Sequence, residues 1–236
     1  MKRVLFTLLL AGLLSTTQMA TAQFSIGFVG VFNLPNLTID AEGFGKTTGV
    51  TAFGAGLVAE YQFGPNFSVV AQPMYMGNKG AELDDLAGTI DELLEDLDNV
   101  QFSSDIKIST IEVPILLKYY FSDYSARPYI TVGPSFGFIS TAELAVNLSG
   151  TFPPSEGNPA EDFNISDTQD IKEDLTSMDM SILLGLGVDV PMGSANYFMD
   201  AKYGFGITNL ISDGDGSMKT KGLQISAGAR FPIGGN

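Results

Sequence analysis

From Met178 to Met192 the chain alternates in a way that few folds can use. Met180, Ile182, Leu184, Leu186, Val188 and Val190 fall on one face of an extended segment. Asp179, Ser181, Gly185, Gly187 and Asp189 fall on the other, with Leu183 the only large apolar residue among them. A period of two is the signature of a strand that meets different media on its two faces. Seven further segments show it over part or all of their length: Phe24–Leu34, Thr51–Phe63, Phe67–Gly77, Ile106–Phe121, Arg127–Ser140, Asn196–Asn209 and Lys221–Ile233. In the seventh strand in chain order, Tyr197, Met199, Ala201, Tyr203, Phe205 and Ile207 oppose Asp200, Lys202, Gly204, Gly206 and Thr208. In the fourth, Ile111, Val113, Ile115, Leu117 and Tyr119 oppose Glu112, Pro114 and Lys118.

The connections alternate short and long. Gly64–Asn66, Ser122–Ala126 and Gly193–Ala195 are tight turns. Pro35–Val50, Asn78–Asp105, Thr141–Ser177 and Leu210–Thr220 are long, and they hold most of the 27 acids. Transmembrane barrels have this asymmetry, with short periplasmic turns and long outer loops. A soluble barrel of the lipocalin type also alternates, with its apolar face inward. Three features favour the membrane. The polar face is rich in Gly and Ser, which suits a narrow interior. The strands exceed the 9–11 residues or so that a tilted crossing needs. Aromatics gather near the short turns: Tyr61, Phe63 and Phe67 at the first, Tyr119, Tyr120, Phe121, Tyr124 and Tyr129 at the second, Tyr197 and Phe198 at the third. Such a cluster has the composition of an interfacial girdle. The expected fold is all-β: an eight-stranded antiparallel up-and-down transmembrane β-barrel with long acidic outer loops, one containing a short helix.

The N-terminus carries an export signal. Lys2 and Arg3 precede an apolar run from Val4 to Leu14, and Ala20-Thr21-Ala22 is a small-x-small cleavage site. The run is short for a membrane helix, and no later stretch reaches about 18 apolar residues. Residues 1–22 are the expected signal peptide and 23–236 one barrel domain. With no cysteine there is neither a lipid-anchored N-terminus nor a disulfide. A net charge of −15 argues against nucleic acid, which needs clustered Lys and Arg.

Two motifs stand out, Ile111-Glu112-Val113-Pro114-Ile115-Leu116-Leu117-Lys118-Tyr119 and Arg127-Pro128-Tyr129-Ile130-Thr131-Val132-Gly133-Pro134-Ser135-Phe136-Gly137. Both resemble the outer-membrane β-barrel domain of PorT-like proteins, a porin-type family common in Bacteroidota. Leu184–Pro191, Ala201–Gly204, Lys221–Leu223 and Arg230-Phe231 carry the rest. The resemblance implies a barrel in the cell outer membrane and no particular chemistry.

The chain has no histidine. That removes the Ser-His-Asp triad, His-ligated metals and the usual general base near neutral pH. A carboxylate-only or Ser-Lys enzyme is what stays chemically open. Gly54-Ala55-Gly56 and Gly204-Phe205-Gly206 lack the rest of a dinucleotide fingerprint. No cofactor is expected. If the apolar faces meet lipid, then Glu60, Glu112, Lys118, Asp179, Asp189, Asp200, Lys202 and Arg230 point inward. Unpaired charge is costly there, so these groups form a salt-bridged plug or hold water along an ion path. An eight-stranded interior is filled by side chains, which argues against a diffusion pore.

Two outer features invite a binding role. Leu83, Leu86, Ile90, Leu93, Leu94 and Leu97 recur at helical spacing among acids, which describes an acidic amphipathic helix. It serves either as a lid on the barrel or as a surface for a partner. Asp213 and Asp215, in Asp213-Gly214-Asp215-Gly216-Ser217, resemble a short calcium loop, and a Gly/Asp turn explains them equally well. The composite expectation is a non-enzymatic outer-membrane barrel presenting acidic extracellular loops for binding or envelope integrity. Its surroundings would be outer-membrane lipid and lipopolysaccharide, with an envelope protein as partner. The alternative is an accessory barrel of a transport or protein-secretion complex. Mass spectrometry of the protein from the membrane fraction should find a mature N-terminus at Gln23, and an intact Met1 there would refute export by a cleaved signal.

Overall fold

The computed structural model describes residues 23–40, 47–83, 98–121, 125–154, 159–211 and 216–233. The signal segment, Asp213 and Asp215 lie outside the described residues. So do Leu86, Ile90, Leu93, Leu94 and Leu97 of the expected helix.

Among the described residues, eleven strands form one antiparallel sheet: β1 (Gln23–Asp40), β2 (Thr47–Val50), β3 (Ala52–Gln62), β4 (Phe67–Ala71), β5 (Met74–Leu83), β6 (Asp98–Tyr120), β7 (Arg127–Phe152), β8 (Glu161–Asp170), β9 (Met178–Met192), β10 (Ala195–Gly206) and β11 (Ser217–Ile233). Eight staves close the ring. They are β1, then β2 with β3, then β4 with β5, then β6, β7, β9, β10 and β11. The last pairs back onto the first from Phe24↔Ile233 to Asp40↔Ser217. The third stave is split because Pro73 has no N–H to give the ladder; its carbonyl still accepts from Leu57 N at 2.9 Å. Met192↔Ala195 closes a two-residue hairpin, and Gly193 takes the φ of +63° that this turn demands.

The wall has two zones. In the lower one, nearest the short turns, Leu57, Ile111, Leu117, Leu184 and Leu186 are exposed on the outside, while Glu60, Lys118, Asp189 and Lys202 are buried within. Aromatics mark its limits. Phe63 stacks on Phe67 at 6.1 Å, Phe67 meets Tyr119 at a tilt at 4.9 Å, and Tyr119 meets Phe121 edge-on at 5.4 Å. Higher up, Phe32 meets Phe53 at 5.4 Å and Tyr203 meets Phe205 at 4.8 Å. Phe53 to Phe63 spans about 34 Å along the strand at about 3.4 Å per residue. A tilt of about 40° shortens that to about 26 Å, the height of the apolar band in such barrels.

Above this band the facing reverses. Leu37, Ala81, Ile106, Ile108, Ile139, Ala142, Leu175, Leu210 and Met218 form a buried apolar core inside the ring. Thr38, Lys107, Thr141 and Glu143 are exposed outside it. β1, β6 and β11 keep one phase through the change and simply alter the residue types on each face, whereas β5 and β7 carry bulges there. The β6–β7 register slips so that Ser109 pairs with Thr141 and Thr110 with Ile139, leaving Ser140 as an extra residue. Ser140 Oγ donates to Ser109 O at 2.9 Å and holds the slip in place. A second slip lies between Met76 and Lys79, with Asn78 at a φ of 56°.

The outer connections are shorter than the sequence suggests. β1 runs on to Asp40, β5 to Leu83 and β7 to Phe152, while β6 begins at Asp98 and β11 at Ser217. Within the stretch expected as one loop, Thr141–Ser177, β8 pairs with β7 from Glu143↔Asp170 to Phe152↔Glu161. The acids placed in loops are therefore partly on strand faces, which extended backbone accommodates wherever a face is wet.

Facing gives a direct test. Leu186→Arg puts a charge at an exposed site on the lipid face and should cost about 2–4 kcal/mol in folding into vesicles near the midplane. Thr38→Arg, above the band, should change the same folding free energy, measured by urea titration, by less than about 0.5 kcal/mol.

Candidate functional site inside the barrel

The eight charged residues assigned to the interior are all buried, but they do not form one network. Along β6, Pro114 and Leu116 separate Glu112 from Lys118. Along β9, Leu183, Gly185 and Gly187 come between Asp179 and Asp189. Two polar layers result.

The inner layer, nearest the short turns, is built on two carboxylates. Arg230 forks across them, Nη1 donating to Glu60 Oε2 and Nη2 to Asp189 Oδ2. Lys118 Nζ donates to the same two oxygens, at 3.2 Å each. Tyr120 OH completes the set, 2.7 Å from Glu60 Oε1 and 3.0 Å from Asp189 Oδ2. Beside it Lys202 donates to Asp200 and, at 2.8 Å, to Ser226 Oγ. Tyr129 OH donates to Asp200 at 2.9 Å, and its ring lies 3.8 Å from Lys118 Nζ. Three acids thus meet three bases, and a fourth base, Arg127, lies beside them with its guanidinium carbon 3.9 Å from the Tyr120 ring centroid. Gly187 makes room for this layer: a Cβ there would lie 2.6 Å from both Asp200 Cβ and Tyr129 Cζ.

The outer layer joins Glu112 and Asp179 through Lys79, whose Nζ is 2.5 Å from Glu112 Oε1 and 3.7 Å from Asp179 Oδ2. Thr220 Oγ1 donates to Asp179 Oδ2 at 2.8 Å, and Gln224 Nε2 donates to Glu112 Oε2 at 3.4 Å. Between and beside the layers, Val29, Val31, Val58, Val70, Met74, Met76, Leu116, Leu183 and Phe198 pack as an apolar cluster. The cavities left among these groups are small. One of about 10 Å³ lies beside the inner layer and one of about 20 Å³ beside the outer. Each has room for about one water.

A closed ring of strands with lipid-type residues outside and paired charges within is the geometry of an outer-membrane barrel, and comparison agrees. Residues 16–212 match the family model described as outer membrane protein beta-barrel domain. The chain belongs to this family. Its location is the outer membrane. No curated protein matches it. Among solved structures it is similar to the outer membrane protein OprG of Pseudomonas aeruginosa, at 13% identity over 91% of this chain and 97% of that one, TM-score 0.45. Neisserial surface protein A is similar at 11% identity, 89% and 97% coverage, TM-score 0.43. A major outer membrane protein of Thermus thermophilus is similar at 15% identity, 90% and 99% coverage, TM-score 0.39.

Some interior residues of this outer-membrane barrel escape a reading of the sequence. Tyr120, Tyr129 and Phe198 count there with the interfacial girdle, yet all three are buried inside. Parity is the signal that places them, since Tyr120 shares the phase of Lys118 and Phe198 that of Asp200. Lys79 falls in an expected loop, and the bulge before it breaks the alternation that would point it inward. Asn33, Gln224 and Ser226 are neutral, and a search for charges does not single them out.

The inner layer predicts large and specific losses. Arg230→Met leaves two buried carboxylates short of their main partner and should cost about 3–5 kcal/mol. Tyr120→Phe removes hydrogen bonds to charged groups and should cost about 1.5–3 kcal/mol. Urea titration of the barrel folded in vesicles measures both, and a midpoint unchanged in Arg230→Met would mean that the layer does not contribute to holding the ring.

Proposed function

We propose that this protein is a non-enzymatic barrel that presents an acidic extracellular surface to an envelope partner. The observation that carries the reading is the sheet projecting above the apolar band. There β5, the outer half of β6, the outer half of β7 and β8 stand side by side, and among the described residues β8 pairs only with β7. β8 has the sequence Glu161-Asp162-Phe163-Asn164-Ile165-Ser166-Asp167-Thr168-Gln169-Asp170, and nearly all of it is exposed. Ile165 is aligned with Leu148 and Phe102 across three strands, and Phe152 packs on Phe163 at 4.9 Å. An edge strand with acids and an apolar row, exposed at Ile165 and half-buried at Leu148 and Phe102, is suited to a partner segment carrying basic and apolar residues.

Several features support an absence of enzymatic or pore activity. The chain has no histidine, the interior carboxylates are tied to bases, and the two cavities beside the polar layers have room for about one water each. The same acidic surface is poorly suited to direct contact with anionic lipopolysaccharide, so protein is the favoured partner. The motif from Ile111 to Tyr119 and that from Arg127 to Gly137 support placing the chain among PorT-like barrels.

Shortening the hairpin tests the reading. Replacing residues 149–164 by Asn-Gly preserves every stave of the ring. The variant should still fold into membranes, and it should lose the envelope proteins that the intact barrel captures from solubilised outer membrane. Capture of the same proteins by the shortened barrel would refute the role given to this surface.

A further inference from the structure

The two polar layers differ in charge. In the inner layer Glu60, Asp189 and Asp200 face Lys118, Lys202 and Arg230. In the outer layer, among the described residues, Glu112 and Asp179 share Lys79 alone. One negative charge is left over in a closed interior, where it must be compensated.

Uncommitted oxygens gather at the same level. Among the described residues Asp179 Oδ1 has no hydrogen-bond partner, nor do Asn33 Oδ1 and Gln224 Oε1. These residues are 5%, 2% and 5% exposed. Asn33 and Gln224 are register partners on β1 and β11, both facing inward, and Gln224 reaches Glu112. Asn33, Gln224, Glu112 and Lys79 line the cavity of about 20 Å³. Asp179 lines an adjoining one of about 10 Å³ that shares Lys79 and Thr220 with it. Lone pairs with no donor, beside an excess negative charge, match a cation better than a water, which would leave the charge in place.

We propose that the outer polar layer binds one monovalent cation of about the size of sodium, held by oxygens of Asp179, Glu112, Asn33 and Gln224. The single excess charge sets the valence. A divalent ion would replace one uncompensated charge by its opposite, and each of the two adjoining cavities beside Lys79 has room for only one small occupant. Above the site the apolar core that includes Leu37, Ile108, Leu175 and Leu210 shields it from outside water. The ion therefore acts as a structural ligand of the folded barrel, and its binding free energy adds to stability.

The test uses the mature barrel folded from urea into phosphatidylcholine vesicles, in NaCl or in choline chloride at the same ionic strength. The urea midpoint should be higher in NaCl and rise with the logarithm of sodium concentration. Asp179→Asn, nearly isosteric, makes the layer neutral and should erase the difference between the two salts. Asn33→Leu keeps the charge but removes one oxygen, and should weaken the apparent sodium affinity about tenfold. Equal wild-type midpoints in the two salts would overturn the proposal even if neither variant folds. So would a sodium effect that survives unchanged in Asp179→Asn. Stabilisation by falling pH without any sodium effect would mean that a proton on a carboxyl neutralises the layer, and stabilisation by CaCl2 alone would mean the wrong valence; either result rejects the sodium site.

Discussion

Closure of the sheet between β1 and β11 is the constraint on which everything else in this barrel rests. In hydrocarbon there is no water for an open strand edge, and each bare N–H or C=O costs several kcal/mol. The full-length pairing from Phe24↔Ile233 to Asp40↔Ser217 removes both edges at once. Once the ring is closed, every residue of the wall must choose between lipid and lumen. A period of two makes that choice for it. The outer face, with no volume limit, takes large apolar residues in the band, while the narrow side takes small residues, paired polar ones and a limited apolar cluster that includes Met76, Leu116 and Leu183. Gly185 and Gly187 are where the limit is felt, because Lys202, Thr131, Tyr129 and Asp200 occupy the space a side chain would need.

The interior then becomes a problem of charge. Polar groups are needed on the inward face, where they can leave no wet partner unreplaced. The inner layer solves this with a fork: one guanidinium and one ammonium for two carboxylates, with a phenol within hydrogen-bond reach of both. Such an arrangement is worth little over an apolar isostere when intact and much when broken. It therefore contributes to specificity of strand register more than to gross stability. A slip of one residue in β6 would carry Lys118 and Tyr120 to the lipid face and strand Glu60 and Asp189 inside.

How legible this is in the sequence depends on the medium each residue meets. Alternation is clear where lipid and lumen differ most, as from Met178 to Met192, and there the facing of Asp179 and Asp189 follows from counting alone. It fades above the apolar band, where the outer face meets water and the inner face turns apolar. Polar residues such as Thr141 and Glu143 then sit in strands while having the composition of loops. The bulges at Ser140 and before Lys79 shift the phase by one, so a count carried across them gives the wrong side. Tyr120 and Tyr129 are hidden for another reason. Aromatics near a turn have the composition of a girdle, and only their phase shows that their hydroxyls serve the carboxylates within.

One wall thus carries two kinds of barrel. Below the bulges the ring holds paired polar layers with an apolar cluster packed between them, and apolar residues outside, as lipid requires. Above them it is apolar inside and polar outside, as water requires, with Leu37, Ile106, Ile108, Ala142 and Met218 forming a core of the soluble type. The backbone ladder is continuous through the change, so the upper barrel needs no separate closure. β1, β6 and β11 keep one phase across the boundary and change the residue types on each face. β5 and β7 insert a residue there, which resets the phase of the sequence at the cost of a local break in pairing. Ser140 makes that break small by giving its hydroxyl to Ser109 O and accepting at its own carbonyl from Lys172 Nζ at 2.9 Å. The apolar upper core in turn seals the lumen, so the outer polar layer lies between two dry regions. Its charge must be settled by what it already holds, which is why an imbalance there has consequences that the same imbalance at an open barrel mouth would not.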